Sequence, residues 1–213
     1  VYTPRAFEID RDVADAIIDE CDLASVVVFD PAEGFEATWL PLMRRPGRLV
    51  GHVAKANPLW RHTGAALAMF RTVDGYVSPN WYASKREHGK VVPTWNYVAV
   101  NVHGTLVAHH DELWKREVVT ALTQRHEARI GSGWQVTDAP PDYITTTLAA
   151  IVGIEIVIER VEGKAKLSQN RSEADVAGVV AANDNALVDA MRRPQNPTKS
   201  RTTVTEGEPH RHL

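Results

Sequence analysis

Along "VAVNVHG", Val98, Val100 and Val102 alternate with Ala99, Asn101 and His103, the two-residue period of a half-buried strand. Similar patterning predicts strands at "LASVVVFD", "FEATWLPLM", "GRLVGHVA", "AALAMFRTV" and "GYVSPNWY", with "IEIVIERVE" a further strongly β stretch. Helical spacing appears elsewhere. Asp10 can cap a helix running to about Asp22, with Val13, Ile17, Ile18 and Cys21 on one face. Asp111 can cap another, in which Trp114, Val118 and Leu122 stack inward and Lys115, Glu117 and Arg125 face solvent. "NPLWRH" predicts a short helix with Asn57 as its N-cap and Pro58 at the first helical position. "DYITTTLAAIVG" predicts a helix stopped by Gly153, and Ser172 with Asp175 forms a capping-box pattern before a last helix. "SKREHGK" is a polar loop.

Six or seven short strands, with helices mostly after the strand cluster, predict a mainly β, α+β fold: a small β-barrel with helices packed on it. The folded unit is expected over residues 1–182. Residues 183–213 are expected to be a helical extension followed by a polar tail, disordered beyond Arg193, where prolines replace apolar residues. The formal net charge of -3 over 213 residues excludes a broad nucleic-acid-binding face. A single cysteine, Cys21, permits no internal disulfide, and its place on an apolar helix face suits packing. No apolar run reaches the ~20 residues that span a bilayer. These features point to a cytoplasmic protein without a membrane segment.

Three stretches could carry chemistry. In "GHVAKANPLW" a strand ends beside Lys55 and a helix begins at Asn57, so free backbone N–H groups, the ammonium and His52 could receive a phosphate. An ordinary strand-to-helix turn with a solvated lysine is the commoner reading of this local pattern, because helix N-termini are common. "YVSPNWYASK" offers Ser78, Tyr82, Ser84 and Lys85 as donors beside the plane of Trp81, and "KLSQNR" crowds Lys166, Gln169, Asn170 and Arg171 into six residues between a strand and a capped helix. "VPTWNY" sets Thr94, Trp95, Asn96 and Tyr97 at the head of a strand, either as an aromatic barrel plug or as the wall of a pocket for a flat polar ligand. No phosphate loop, dinucleotide fingerprint or nucleophile elbow occurs. His103, His109 and His110 lack the carboxylate or cysteine partners of a metal site, and no catalytic residue can be named.

Together "VYTPRAF", "GHVAKANPLW", "SPNWYASK…VPTWNY" and "KLSQNR" resemble the PaiB-like FMN-binding negative transcriptional regulators, from Tyr2 to about Val180. The resemblance implies a split β-barrel related to pyridoxamine-phosphate-oxidase-like proteins, a homodimer with FMN in a groove between subunits. By motif, His52, Lys55 and Asn57 would face the phosphate, and Ser78, Trp81, Tyr82 and Lys85 would line the groove. Thr94, Trp95, Asn96 and Tyr97 would sit near the ring or ribityl chain, while Lys166, Gln169, Asn170 and Arg171 would close the site from the partner subunit. One departure is Trp39 in "ATWLPL", where the family often carries histidine.

The implied function is negative transcriptional regulation by an FMN-binding protein with no helix-turn-helix of its own, its target-side partner being DNA or another regulatory protein. The alternative is an FMN-dependent oxidoreductase acting on a small substrate, in which the flavin carries the chemistry. A flavin-free barrel serving as an interaction module is the third reading.

Overall fold

A computed structural model describes residues 2–183 and 185–193. In chain order it comprises α1 (Arg11–Glu20), β1 (Leu23–Asp30), β2 (Gly34–Arg45), β3 (Arg48–Ala54), β4 (Gly64–Val77), α2 (Ser84–His88) and β5 (Thr94–His109). These are followed by α3 (Glu112–Ile130), α4 (Pro141–Ala149), β6 (Ile151–Lys166), α5 (Glu173–Ala181) and α6 (Ala186–Arg192). The strands close into an antiparallel barrel in the order β1-β2-β3-β6-β5-β4, with β4 returning to pair with β1. The expected barrel with packed helices is the fold found.

The alternation along the strands explains the core. Val26, Leu40, Leu49, Phe70, Val100, Val102, Ile154 and Ile156 point inward and are buried together, and α1 adds Ala14, Ile17 and Ile18. Cys21 is buried at the end of α1; burial, then the charges of Glu20 and Asp22, pushes its thiol above the ordinary value. On the outer face of β3, Val50 packs under Val118 and Leu122 of α3, with Trp114 beside them.

Several expectations need correction. "AALAMFRTV" and the start of "GYVSPNWY" form one long strand, β4, which keeps its pairing to β5 by shifting register between Arg71 and Asp74. It ends at Val77 because Pro79 has no N–H to offer and Ser78 caps a 3-10 turn over Pro79–Trp81 by accepting from Asn80 N. "SKREHGK" contains the short helix α2, which stops where Gly89 turns left-handed at φ 68°. Gly153 does not end a helix. The helix α4 stops at Ala149, and Gly153 lies within β6 opposite His52, where any β-carbon would strike the ring of Trp114.

Lys115 does not face solvent. It is 7% exposed, and its Nζ donates to Leu148 O at 2.7 Å and Ile151 O at 3.4 Å, satisfying carbonyls where α4 passes into β6. Arg125 likewise reaches back to the Asp19 carbonyl. Among the described residues no helix is long and apolar enough to cross a membrane. The polar tail expected beyond Arg193 lies outside the described residues.

Candidate functional site

The candidate site begins where β5 starts and β6 ends. Tyr97 of β5 stands opposite Lys166 of β6, so the head of "VPTWNY" lies beside "KLSQNR" in space. Beyond Lys166 the backbone turns at Ser168, which is buried and held left-handed at φ 66°, a costly conformation for a non-glycine residue. Its hydroxyl is fixed by the fully buried Asn96 amide, with Nδ2 donating to Oγ at 2.9 Å. Gln169 tightens the turn by accepting from Leu167 N at 2.7 Å and donating to Ala165 O. Arg171 N then donates to Ser168 O at 3.0 Å. The turn therefore returns Arg171 to the side of Lys166.

The guanidinium of Arg171 lies over the Tyr82 ring, 4.7 Å from its centroid. Tyr82, Val92, Pro93, Thr94, Asn96, Lys166, Ser168, Asn170 and Arg171 enclose a cavity of about 110 Å³. Tyr82 is 2% exposed, and its phenol oxygen has no hydrogen-bond partner. Lys166 Nζ donates to Thr94 Oγ1 and, at 2.9 Å, to the Trp95 carbonyl. Burial, then the neighbouring charges of Lys164 and Arg171, lowers the Lys166 ammonium's pKa, against the opposing influence of Tyr97. No carboxylate lies within ion-pair distance of Lys166 or Arg171 among the described residues. The pocket is thus a cationic concavity whose two cations form no salt bridge, the charge of the Asp175 carboxylate acting on Arg171 from behind.

Behind it stands a residue that sequence reasoning used only as a helix cap. Asp175, 3% exposed on α5, accepts from Ser84 N at 2.9 Å and from Ser84 Oγ at 2.8 Å. Burial alone would raise its pKa, but the two Ser84 bonds, the charge of Arg171 and Ser172 together hold it below the ordinary carboxylate value. Next to this link, Gly178 lets α5 approach the Trp81 carbonyl so closely that no β-carbon would fit. The segment carrying Trp81 and Tyr82 is thereby fastened to the helix that follows Arg171. Only the spacing of Ser172 and Asp175 hinted at this in the sequence.

The other sequence candidates are distributed differently. Ser78 is engaged as a cap, Trp81 packs with Val77, Tyr82 and Val179, and Lys85 bonds to Asn80 on the surface. None of the three lines the cavity. Trp95 faces outward, edge-on to Tyr76 at 6.2 Å, while Tyr97 lies under the Lys164 ammonium, 5.3 Å from its ring centroid. Gln169 serves the turn, so Thr94, Asn96, Tyr82, Lys166, Asn170 and Arg171 are the candidates brought together.

His52, Lys55 and Asn57 lie far from them. His52 pairs with Gly153, and Gly153 and Lys166 sit thirteen residues apart on β6, about 40 Å of extended strand. The helix expected after Asn57 is a four-residue 3-10 turn whose leading donors are engaged. Lys55 N donates to Ala150 O and Asn57 N to Ala54 O, both at 2.8 Å, while Leu59 N donates to Asn57 Oδ1 at 2.9 Å. Pro58 has no N–H. Of the anion-binding elements expected there, the exposed Lys55 ammonium remains. His52 is desolvated, which lowers its pKa, and its Nδ1 is buried without a partner.

Drug-sized ligands occupy pockets of about 300–1,000 Å³, so a cavity of about 110 Å³ holds only part of FMN. Its chemistry nevertheless suits that flavin. Its cations can meet a phosphate or the polar pyrimidine edge, and the apolar wall of Val92 and Pro93 can meet a ring.

The chain is similar in sequence and in fold to several known proteins. The protease synthase and sporulation protein PAI 2 of Bacillus subtilis is 32% identical over 191 residues, covering 84% of this chain and 87% of its own. The fold is shared with the FAD and heme binding protein from Mycobacterium smegmatis, at 19% identity and a TM-score of 0.59, over 81% of this chain and 80% of that one. It is also shared with the flavocytochrome Anf3 from Azotobacter vinelandii, at 18% identity and a TM-score of 0.56, over 100% of this chain and 89% of that one. Residues 1–160 match the family described as "Putative FMN-binding domain", and the chain belongs to that family.

Proposed function

We propose that the protein binds FMN between two copies of the chain and that the flavin-bound dimer acts as a negative regulator of transcription. The cationic pocket at the meeting of β5 and β6 is the observation that carries the flavin reading: it offers cationic donors not engaged in salt bridges and has room for part of the cofactor. Thr94, Asn96, Asn170 and Tyr82 would orient the bound molecule, with Lys166 and Arg171 supplying charge. Bound FMN supplies reversible electron transfer; the protein's own groups bind and orient it and exclude water.

A second copy is supported by an uncovered apolar face. Leu23, Phe29, Phe35 and Trp39 are exposed on β1 and β2, with the Phe29 and Phe35 rings 5.0 Å apart. Contiguous apolar surface of this kind marks an interaction site. The cavity holds only part of the ligand, and His52, on the strand that leads to Lys55, pairs with β6 about 40 Å of strand away from Lys166. Groups at the Lys55 end can therefore meet the same flavin only from a partner protomer.

The regulatory role is supported by likeness to a Bacillus protein named for protease synthesis and sporulation. Titrating the flavin-stripped protein with FMN, followed by tryptophan quenching, should give saturable binding to a sedimenting dimer. Phe35→Asp should lower dimer content and flavin affinity together. A flavin-loaded monomer would remove the shared-site reading, and protein that stays colourless with added FMN would remove the flavin reading.

A further inference from the structure

We infer that the pocket of Tyr82, Lys166 and Arg171 is the phosphate subsite of the flavin site and that the Lys55 turn is not. This rests on the flavin reading above and settles which end of FMN enters the pocket. The Arg171 guanidinium makes no hydrogen bond among the described residues and stands 4.7 Å from the Tyr82 ring centroid, leaving its planar set of donors for a ligand. Lys166 is held in place by Thr94 and the Trp95 carbonyl and keeps a third N–H free. Tyr82 lines the same cavity, and its hydroxyl is buried without a hydrogen-bond partner.

The cavity, about 110 Å³, suits a phosphate group and excludes a three-ring system. The donors suit a dianion too. Arginine engages phosphate oxygens through parallel N–H bonds, and lysine adds a point charge. Strain at Ser168 is spent on bringing these two cations together.

The Lys55 turn presents the opposite case. Its backbone donors at Lys55, Asn57 and Leu59 already serve Ala150 O, Ala54 O and Asn57 Oδ1. A single exposed ammonium is left, and its four-carbon stem fixes no geometry.

The test compares FMN with riboflavin, which lacks the phosphate, on the full flavin-stripped chain. The wild type should bind FMN at least about tenfold tighter than riboflavin. Lys166→Gln and Arg171→Gln should each weaken FMN about tenfold or more and leave riboflavin nearly unchanged. Lys55→Gln should keep the wild-type ratio of the two affinities, and inorganic phosphate should compete with FMN but not with riboflavin. Equal losses for both flavins in Lys166→Gln, or a lost preference in Lys55→Gln, would overturn the assignment. If Arg171→Gln fails to fold by circular dichroism, Lys166→Gln and phosphate competition still decide it. Equal binding of both flavins by the wild type removes the phosphate subsite and leaves the flavin reading standing. Binding of neither flavin, with inorganic phosphate still raising the Tm of the wild type but not of Lys166→Gln, removes the flavin reading and leaves the anion subsite.

Discussion

Replacing Asp175 by asparagine tests whether the pocket depends on the link between α5 and the Ser84 segment. The carboxylate is almost fully buried and accepts two bonds from one residue, Ser84 N at 2.9 Å and Ser84 Oγ at 2.8 Å. Bonds to a charged group contribute about 1.5–3 kcal/mol each, and neutral ones about 0.5–1.5 kcal/mol. Asparagine keeps the shape and one acceptor oxygen, so the expected loss is about 1–3 kcal/mol, a fall in Tm of roughly 2–12 °C for a chain of this size. The sign of the pH dependence follows from the carboxylate's lowered pKa. Its contribution is complete above the unfolded value of about 3.9 and is lost as the pH falls from there through the lower folded value. The difference in stability between wild type and Asp175→Asn, measured by urea unfolding from pH 7 to pH 3, should be constant above about pH 5 and shrink below pH 4. FMN affinity should fall with it, because Tyr82 and Arg171 lose their common support. An unchanged Tm at pH 7, or a difference that persists undiminished to pH 3, would refute the reasoning.

Three further perturbations probe other joints. Lys115→Met leaves the Leu148 and Ile151 carbonyls without their ammonium donor, and urea unfolding should show a loss of about 1–3 kcal/mol. Gly153→Ala sets a β-carbon against Trp114; thermal melts should show destabilisation of about 1–3 kcal/mol, with Trp114 fluorescence shifted as the ring leaves the strand. Desolvation lowers the His52 pKa in the folded state, so wild-type stability should decline as the pH falls below about 6.5. That decline should flatten in His52→Gln when melting temperatures are compared from pH 8 to pH 5.

Local pattern and long-range register account for different parts of what could be read. "LASVVVFD" and "GRLVGHVA" are rich in β-branched and apolar residues, and they form β1 and β3. "IEIVIERVE" was legible as β, but β6 runs on to Lys166 because β5 offers it partners as far as Tyr97. Lys115 sits on a helical face that spacing alone assigns to water. Its burial follows from carbonyls at the end of α4, thirty-three residues away. The Asn57 cap was read correctly, yet by accepting from Leu59 N it uses a donor that the anion reading needed. "KLSQNR" announced its cations, but not that Tyr82 and Asn96 would meet them, since that depends on β5–β6 register and on Asp175.

The family match ends at residue 160, whereas both pocket cations come from Lys166 and Arg171. They are nevertheless tied to the matched region. Residues 162 to 166 of β6 pair with Asn101 back to Tyr97, so the strand segment that ends in Lys166 also closes one seam of the barrel. Arg171 lies on the ring of Tyr82, whose segment is fastened to α5 by the Ser84–Asp175 bonds and the close approach at Gly178. Met191 of α6 completes the contact, its sulfur 3.8 Å from the Asn96 amide that fixes Ser168. Loosening α5 would release the turn that gathers the two cations, whereas α6 also buries Leu187 in the barrel core. An anion held by Lys166 and Arg171 would therefore favour the docked state of the C-terminal helices, as linkage requires of any ligand that binds one state in preference.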